Sequence, residues 1–550
     1  MMRVAFVLAM LAASPALAQR MPGTGGDPLR GLMFAPFVVD NELVPGLAMR
    51  GGGPEDTVLL FDGFELPWAF HDNQVRSVVP PDSVTVDVKP GPFGVEYGRG
   101  SSVVMLSSAH VAPTSLEVTT LDFGGRAGDG SLTESLRVGW NSVLHQYRDV
   151  ESDTILDAVL RYRRRVSRRW TVVGSGVYSQ EEARGFTRGV LTSTYKSPAW
   201  CVTLAASPLQ QWGPVVGRFA IDTRAEAIRT AARGAGLTKL EWRLGQQTNS
   251  SRFELLDDRT FWRHDIAGWT SVAANLSPAI RATAGLRVDD FDGDTATQPR
   301  ASIAGQVTPH LTLTLAAGAY RRPPEQPAEI AQGNLNPERA THVVADATYD
   351  DDRAVRVKAA AYYIDRRRLV AADADGELHN SGFGSSLGFD LAAGVLRGPW
   401  FAMMAATLAR SRRFDFERAA EHPAPYEQPF KLELLGMWRR AHWTVAARLQ
   451  LASGLPFTPY TDSIYDSDRD TWVPLHAEPL SARTPFHHQL DVRVDYHFHA
   501  GRLAFAAFLD LHNAYDNRDA IAYRFSYDYR ERTAISALPV FPFAGLRASL

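Results

Sequence analysis

The residues able to do chemistry fall in a few short stretches. Asp289-Asp290-Phe291-Asp292-Gly293-Asp294 sets carboxylate oxygens at the close spacing a calcium ion takes. It lacks the glutamate six residues after the loop glycine that an EF-hand loop needs, so it reads as a solvated loop tip. Asp462, Asp466, Asp468 and Asp470 form a second cluster of the same kind. His487-His488 and the scattered histidines show no zinc spacing. There is no nucleotide loop, and no Ser-His-Asp set follows from spacing. The expectation is no catalytic residue, no metal and no cofactor. Ligand contact is better served. In Leu66 to Asn73, Trp68 and Phe70 can stack on a ligand, and His71 and Asn73 can hydrogen-bond one; the competing use is internal packing. Tyr320-Arg321-Arg322 can hold an anion such as a ferric chelate or a phosphate.

The elements that position these residues carry a period of two from about residue 113 to the end. Gln489 to Phe498 is the strictest run: Leu490, Val492, Val494, Tyr496 and Phe498 face one way, and Asp491, Arg493, Asp495 and His497 the other. A soluble sandwich alternates too, so the connections decide. Very short turns (277–279, 308–310, 350–353, 397–399, 439–442, 499–502) take turns with long polar stretches (289–298, 321–340, 369–382, 413–429, 459–485, 513–539). Short turns on one rim and long loops on the other mark a transmembrane β-barrel. Residues 113 to 550, at about 9 to 11 residues per tilted strand, hold about 22 strands with about half the length left for connections. Trp170, Trp242, Trp269, Tyr320, Tyr362, Tyr363, Trp400, Trp438, Trp443 and Tyr496 are candidates for the interfacial aromatic girdles.

The N-terminus reads as an export signal. Arg3 precedes an apolar run from Val4 to Ala13, and Ala16-Leu17-Ala18 is a small-x-small cleavage site, so 1–18 is set aside and the mature chain begins near Gln19. No later stretch reaches the length a membrane helix needs. Cys201 is the only cysteine, so no internal disulfide forms. A net charge of −3 gives no basic field for nucleic acid.

Residues 19–110 differ from the rest. Glycine and proline punctuate short β-rich runs: Val44-Pro45-Gly46-Leu47-Ala48-Met49-Arg50-Gly51, then Thr57 to Asp62-Gly63, Val84 to Pro92, and Glu96-Tyr97-Gly98. In order and spacing these runs resemble the plug of TonB-dependent outer-membrane receptors. The likeness continues in Gln298-Pro299-Arg300-Ala301, Tyr320 to Pro324, Gly333 to Glu338, Ser453 to Pro459 and Leu511 to Asn517. It covers about residues 28 to 550. Three features depart from the pattern. No clear TonB box precedes the plug, with Leu32 to Val39 the nearest candidate; the plug is short; and the chain ends in Leu550 instead of an aromatic residue.

The resemblance implies an all-β transmembrane barrel of about 22 antiparallel strands (111–550), with a small N-terminal α+β plug (19–110) in its lumen. It implies a non-enzymatic outer-membrane receptor that takes up a scarce ligand, such as a siderophore, cobalamin or glycan, by TonB-coupled gating. The alternative is the same fold without TonB, as a passive channel or surface-binding protein. Implied partners are TonB, a small-molecule ligand, outer-membrane lipids with lipopolysaccharide, and the barrel-assembly machinery. Arg50, Gly51, Asp62, Gly63, Glu96, Tyr97 and Gly98 take structural and gating roles, with Arg50 and Glu96 inside the plug or at its wall. For Trp68, Phe70, His71 and Asn73 the competing role is packing of plug on barrel. For Tyr320, Arg321 and Arg322 it is contact with the plug or lipopolysaccharide.

Overall fold

Strand Leu132–Trp140 shows the rule the barrel follows. Leu132, Leu136 and Val138 point outward, Leu136 with 48% of its surface bare, while Thr133, Ser135 and Arg137 are buried. Thr260–Asn275 repeats it: Trp262 and Ile266 face out, and Arg263 faces in. Apolar residues outside and charged ones inside invert the order of a water-soluble protein, so hydrocarbon is the solvent this surface fits. In a computed structural model the described residues are 21–39, 46–66, 69–71, 76–98, 100–108, 114–128, 131–140, 154–167, 171–181, 186–196, 200–207, 215–231, 239–255, 257–324, 327–373, 376–415 and 420–550.

Among these, 22 strands of five or more residues close into one antiparallel barrel, with the two-residue piece His422–Pro423 annexed to it. The last strand, Phe541–Ser549, pairs with the first, Ser115–Thr119, in the register Gly545↔Thr119 to Ser549↔Ser115. Closure leaves no edge, which a lipid environment requires. The short turns lie where the sequence puts them. Asp352, Gly398, Ala441 and Gly501 take positive φ at four of them.

Two expected loops are instead strand. Ile280–Phe291 and Asp294–Thr308 run through 289–298 and meet in a tight turn at Asp292-Gly293 (φ 45° and 92°). Val355–Ala372 and Leu378–Arg397 take up most of 369–382. The reason is the polar lumen: inside a plugged barrel, acidic and basic residues are ordinary strand residues, so charge density does not mark a loop. The girdle expectation divides as well. Trp400 and Trp438 sit opposite each other near the short-turn rim, ring centres 6.3 Å apart, and Trp443 and Tyr496 likewise at 4.7 Å. Trp242 and Tyr363 also face outward. Trp269, Tyr320 and Tyr362 face inward and are buried, so they are lumen residues. Trp170 lies outside the described residues.

The plug is built the ordinary way. Strands β1 (Thr57–Phe61), β2 (Phe64–Leu66), β3 (Val84–Lys89) and β4 (Ser102–Ser108) form a sheet in the order β2-β1-β4-β3, with β1 and β4 parallel. Asp62-Gly63, at φ 47° and 98°, makes the two-residue β1–β2 hairpin, for which Asp-Gly is suited. Asp62 also accepts the Ser108 N–H (3.0 Å), tying that turn to the end of β4. Leu59 and Phe61 join Leu32, Met49, Val84 and Val104 in an apolar core, while Leu60 on the opposite face packs with Phe93, Val103 and Tyr320. Both faces are covered, which suits the near-continuous apolar run Val58-Leu59-Leu60-Phe61.

Candidate functional site

The plug meets the wall through charge. Arg50 and Gly51 take φ of 49° and 75°, a left-handed pair that turns the chain against the barrel. A Cβ on Gly51 would lie 2.1 Å from Ser411 Oγ and 2.6 Å from Ser386 Oγ, so only glycine brings the backbone this close. The Arg50 guanidinium then reaches Asp390 at 2.9 Å, donates to the Gly91 carbonyl at 2.9 Å, and lies 4.3 Å over the Tyr362 ring. Thr407 Oγ donates to the other Asp390 oxygen (2.9 Å), and Arg366 donates to the Arg50 carbonyl (3.2 Å).

A second contact lies on the wall near the barrel's first strands. His71 Nε2 is 3.0 Å from Asp157, Arg137 Nε donates to the same carboxylate at 3.0 Å, and Ser179 Oγ donates at 2.7 Å. Asp27 of the plug accepts the N–H and hydroxyl of Ser77 (2.8 and 2.7 Å) and lies 3.6 Å from Arg137. Arg76 pairs with Asp122 at 2.9 Å. All of these charged groups are buried. Removing one partner of such a cluster strands the others, at about 3 to 5 kcal/mol.

The Pro92–Gly98 segment rests on a third set. Tyr320 Oη accepts the Phe93 N–H at 2.9 Å, and Arg300 stacks 4.2 Å over the Tyr320 ring while donating to the Tyr97 carbonyl at 2.6 Å. Arg287 pairs with Asp289 (2.6 Å) and donates to the Val95 carbonyl (3.3 Å). Gly98 leaves the room Arg287 occupies: a Cβ there would be 2.3 Å from its Nη2. Tyr97 packs edge-on to Phe93, and burial pushes its phenol up to about 12. Glu96 makes no ion pair among the described residues. With Arg243, Arg281 and Arg300 it lines a cavity of about 250 Å³ between plug and wall.

On the loop-rim side, Arg322 is gripped by Glu329 (2.9 Å) and Glu338 (3.0 Å), with Asp56 of the plug at 3.6 Å. Arg321 pairs with Asp294 at 2.6 Å, and its carbonyl accepts the Gly100 N–H at 2.9 Å. Next to Asp56, burial and then the Asp56 charge push the Glu55 carboxyl up to about 7. Burial, and then Glu55, push the loop residue Tyr426 up to about 12.

The sequence candidates therefore gather at the plug–wall boundary. Phe70 belongs to the plug core, and His71 is fully buried with its Nε2 3.0 Å from Asp157. Trp68 and Asn73 lie outside the described residues. Tyr320, Arg321 and Arg322 face the plug and are buried, their charges already matched by wall and plug groups. Asp289 is a buried lumen residue paired with Arg287, and Asp290 caps the hairpin turn through Thr295 Oγ (2.6 Å). Among the described residues the one grouping with metal-like spacing is Asp373, Glu377 and His379, on a partly exposed turn.

Sequence reading missed the wall partners Asp157, Arg137 and Asp390. Their only sign was a charged residue on the polar face of a strand. It also missed a rim cluster. Hairpins Tyr460–Asp466/Thr471–His476 and Ala520–Phe525/Arg532–Ser536 lean together, with Tyr460 4.4 Å from Phe525 and 4.9 Å from Tyr529. Arg530 lies 5.0 Å over Trp472, and Arg532 4.7 Å over Tyr523. Rings and guanidinium planes thus gather at one mouth of the barrel.

Comparison with known proteins agrees with this architecture. The siderophore receptor PirA from Acinetobacter baumannii matches with a TM-score of 0.72 at 12% identity, over 99% of each chain. PirA from Pseudomonas aeruginosa matches at 0.70 and 13%, over 98% of each. The ferric-catecholate import receptor Fiu from K12 E. coli matches at 0.69 and 10%, over 95% of this chain and 94% of that one. At such identities the likeness shows the fold alone. No curated protein matches the sequence. The family described as TonB dependent receptor-like, beta-barrel, matches residues 107–531, well over half of the chain. An outward apolar wall, a charged lumen and a plug tied across it are what that family is built from, and this chain belongs to it.

Proposed function

We propose that this protein is an outer-membrane receptor that imports a ferric chelate of the siderophore class. In this reading the short-turn rim faces the periplasm, the loop rim faces outside, and residues 1–18 direct export. The observation that carries it is the plug itself, held in the lumen by buried ion pairs at Asp390, Asp157 and Arg322. A lumen closed in this way admits cargo only after those contacts part. With no nucleotide or ion gradient in that membrane to drive the motion, the work comes from TonB pulling on the plug from below. The ligand class is supported by the aromatic and arginine-rich mouth and by the names of the similar structures. Binding outside signals inward only through contacts that differ between the two plug states. Lipids and lipopolysaccharide surround the wall, and the barrel-assembly machinery inserts it. No residue is assigned a catalytic role.

The test is uptake of radiolabelled iron by a deletion strain carrying this gene, offered catecholate and hydroxamate chelates, with and without TonB. Uptake of one class that stops without TonB or on collapse of the proton gradient supports the reading. Uptake that persists in both conditions overturns TonB coupling. Uptake of neither class overturns the ligand assignment.

A further inference from the structure

The plug is sealed to one side of the wall and stands off the other. Within a few residues of the short turns, Phe401, Met437, Thr444, Ala446 and Asp495 are all buried. Met21 and Phe34 of the plug pack with Phe401, Met437 and Ala446, and Lys431 donates to the Val38 carbonyl at 2.8 Å. Strands Thr260–Asn275, Ile280–Phe291 and Asp294–Thr308 differ. Near the same rim their lumen residues Ser271, Thr283 and Ser302 are half-buried, and Arg281 is exposed. These four line the cavity of about 250 Å³ that the plug leaves against the wall beside Pro92–Glu96. Arg243 lines it too, paired with Glu241 at 2.9 Å and with 37% of its side chain bare.

The bonds that hold the plug differ in the same sense. At Arg50 and at His71 a plug side chain faces a wall carboxylate, 2.9 and 3.0 Å away. Parting either leaves a buried carboxylate to be hydrated. The segment Pro92–Gly98 bonds to the wall through its backbone. Arg300 donates to the Gly94 and Tyr97 carbonyls (2.5 and 2.6 Å), Arg287 to that of Val95 (3.3 Å), and Tyr320 Oη accepts the Phe93 N–H (2.9 Å). A peptide group that loses such a bond is neutral, and a single water replaces the partner. We infer that the cargo crosses the lumen along strands Lys239–Leu255 to Asp294–Thr308, by way of this cavity, once the segment Pro92–Gly98 swings off Arg287 and Arg300. This rests on the uptake function proposed above and adds its route. The cavity is below the roughly 300 to 1,000 Å³ of small-molecule sites, so the segment has to move before a chelate fits. The hydroxyls and charges along it suit a hydrated, charged cargo.

Residue-resolved amide hydrogen exchange of the full-length protein in detergent tests the opening without any cargo. The N–H groups of Phe93 and Tyr97, and those of Arg50 and Ser77, are all hydrogen-bonded. The first two should exchange about tenfold faster than the last two. Equal or slower exchange overturns the inference. Iron uptake tests the route. In a Cys201→Ser background, Ser302→Cys should lose most of its uptake when treated with 2-sulfonatoethyl methanethiosulfonate. His499→Cys, at an exposed rim position on the sealed side, should keep its uptake when labelled. Ser302→Cys that takes no label, or that transports equally well with it, overturns the route; Thr283→Cys is the second probe should Ser302→Cys fail to assemble. If the unaltered protein imports no ferric chelate, the function proposed above falls, and the exchange rates still decide on which side the plug opens.

Discussion

The plug sheet and the barrel wall use the same alternation for opposite ends. In the plug, Leu59 and Phe61 turn into an apolar core, as in any water-soluble domain. In the wall, Leu136 turns out to lipid, and Arg137, the next residue, turns in. The two regions meet through buried ion pairs, Arg50–Asp390, His71–Asp157–Arg137 and Arg76–Asp122, set beside smaller apolar patches such as Phe34 on Phe401 and Leu435. An apolar core resists water until it unfolds. An ionic seam can exchange its partners for water one at a time, because hydration repays the charges as they part.

That contrast can be broken from either side. The largest effect should come from the seam. Arg137→Ala strands Asp157 and costs about 3 to 5 kcal/mol. Proteolysis of the plug should speed up while the barrel keeps its heat-modifiable migration, and an unchanged digestion rate would show that the seam does not hold the plug. One residue earlier, Leu136→Arg should cost about 2 to 4 kcal/mol in bilayer refolding and leave plug proteolysis unaltered. If both variants failed in the same assay, the two faces would not be energetically distinct.

Gly51→Ala should cost about 1 to 3 kcal/mol, from a Cβ held at positive φ against Ser411 and Ser386. Ser411→Gly should restore part of that loss, and absence of any rescue would mean that backbone strain alone is responsible. The smallest effect is a pH response. Glu55 is raised in the folded protein from 4.5 to about 7, so the folded state binds its proton more tightly. The stabilisation is full below about pH 4.5 and fades as pH rises through about 7. Glu55→Gln should flatten Tm across that window; a slope equal to that of the parent would assign the response to another group.

Much of the fold could be read along the chain. Period two with short and long connections in turn announced the barrel. Local signals misled at two points. Asp289 to Asp294 reads as a loop in one dimension, yet Asp289 is a lumen strand residue answered by Arg287. Trp269 reads as a girdle residue, yet it faces inward with Arg224 and Arg287 each 5.1 Å over its ring.

The sequence alone determined what each strand's two faces are made of and where the chain turns, because side-chain alternation and turn geometry are local. Only the closed barrel decided which charge answers which. Arg50 finds Asp390 across 340 residues, and Tyr320 finds Phe93 across 227. Those pairings exist only once the last strand meets the first and the enclosed space has no water to spare for an unpaired ion.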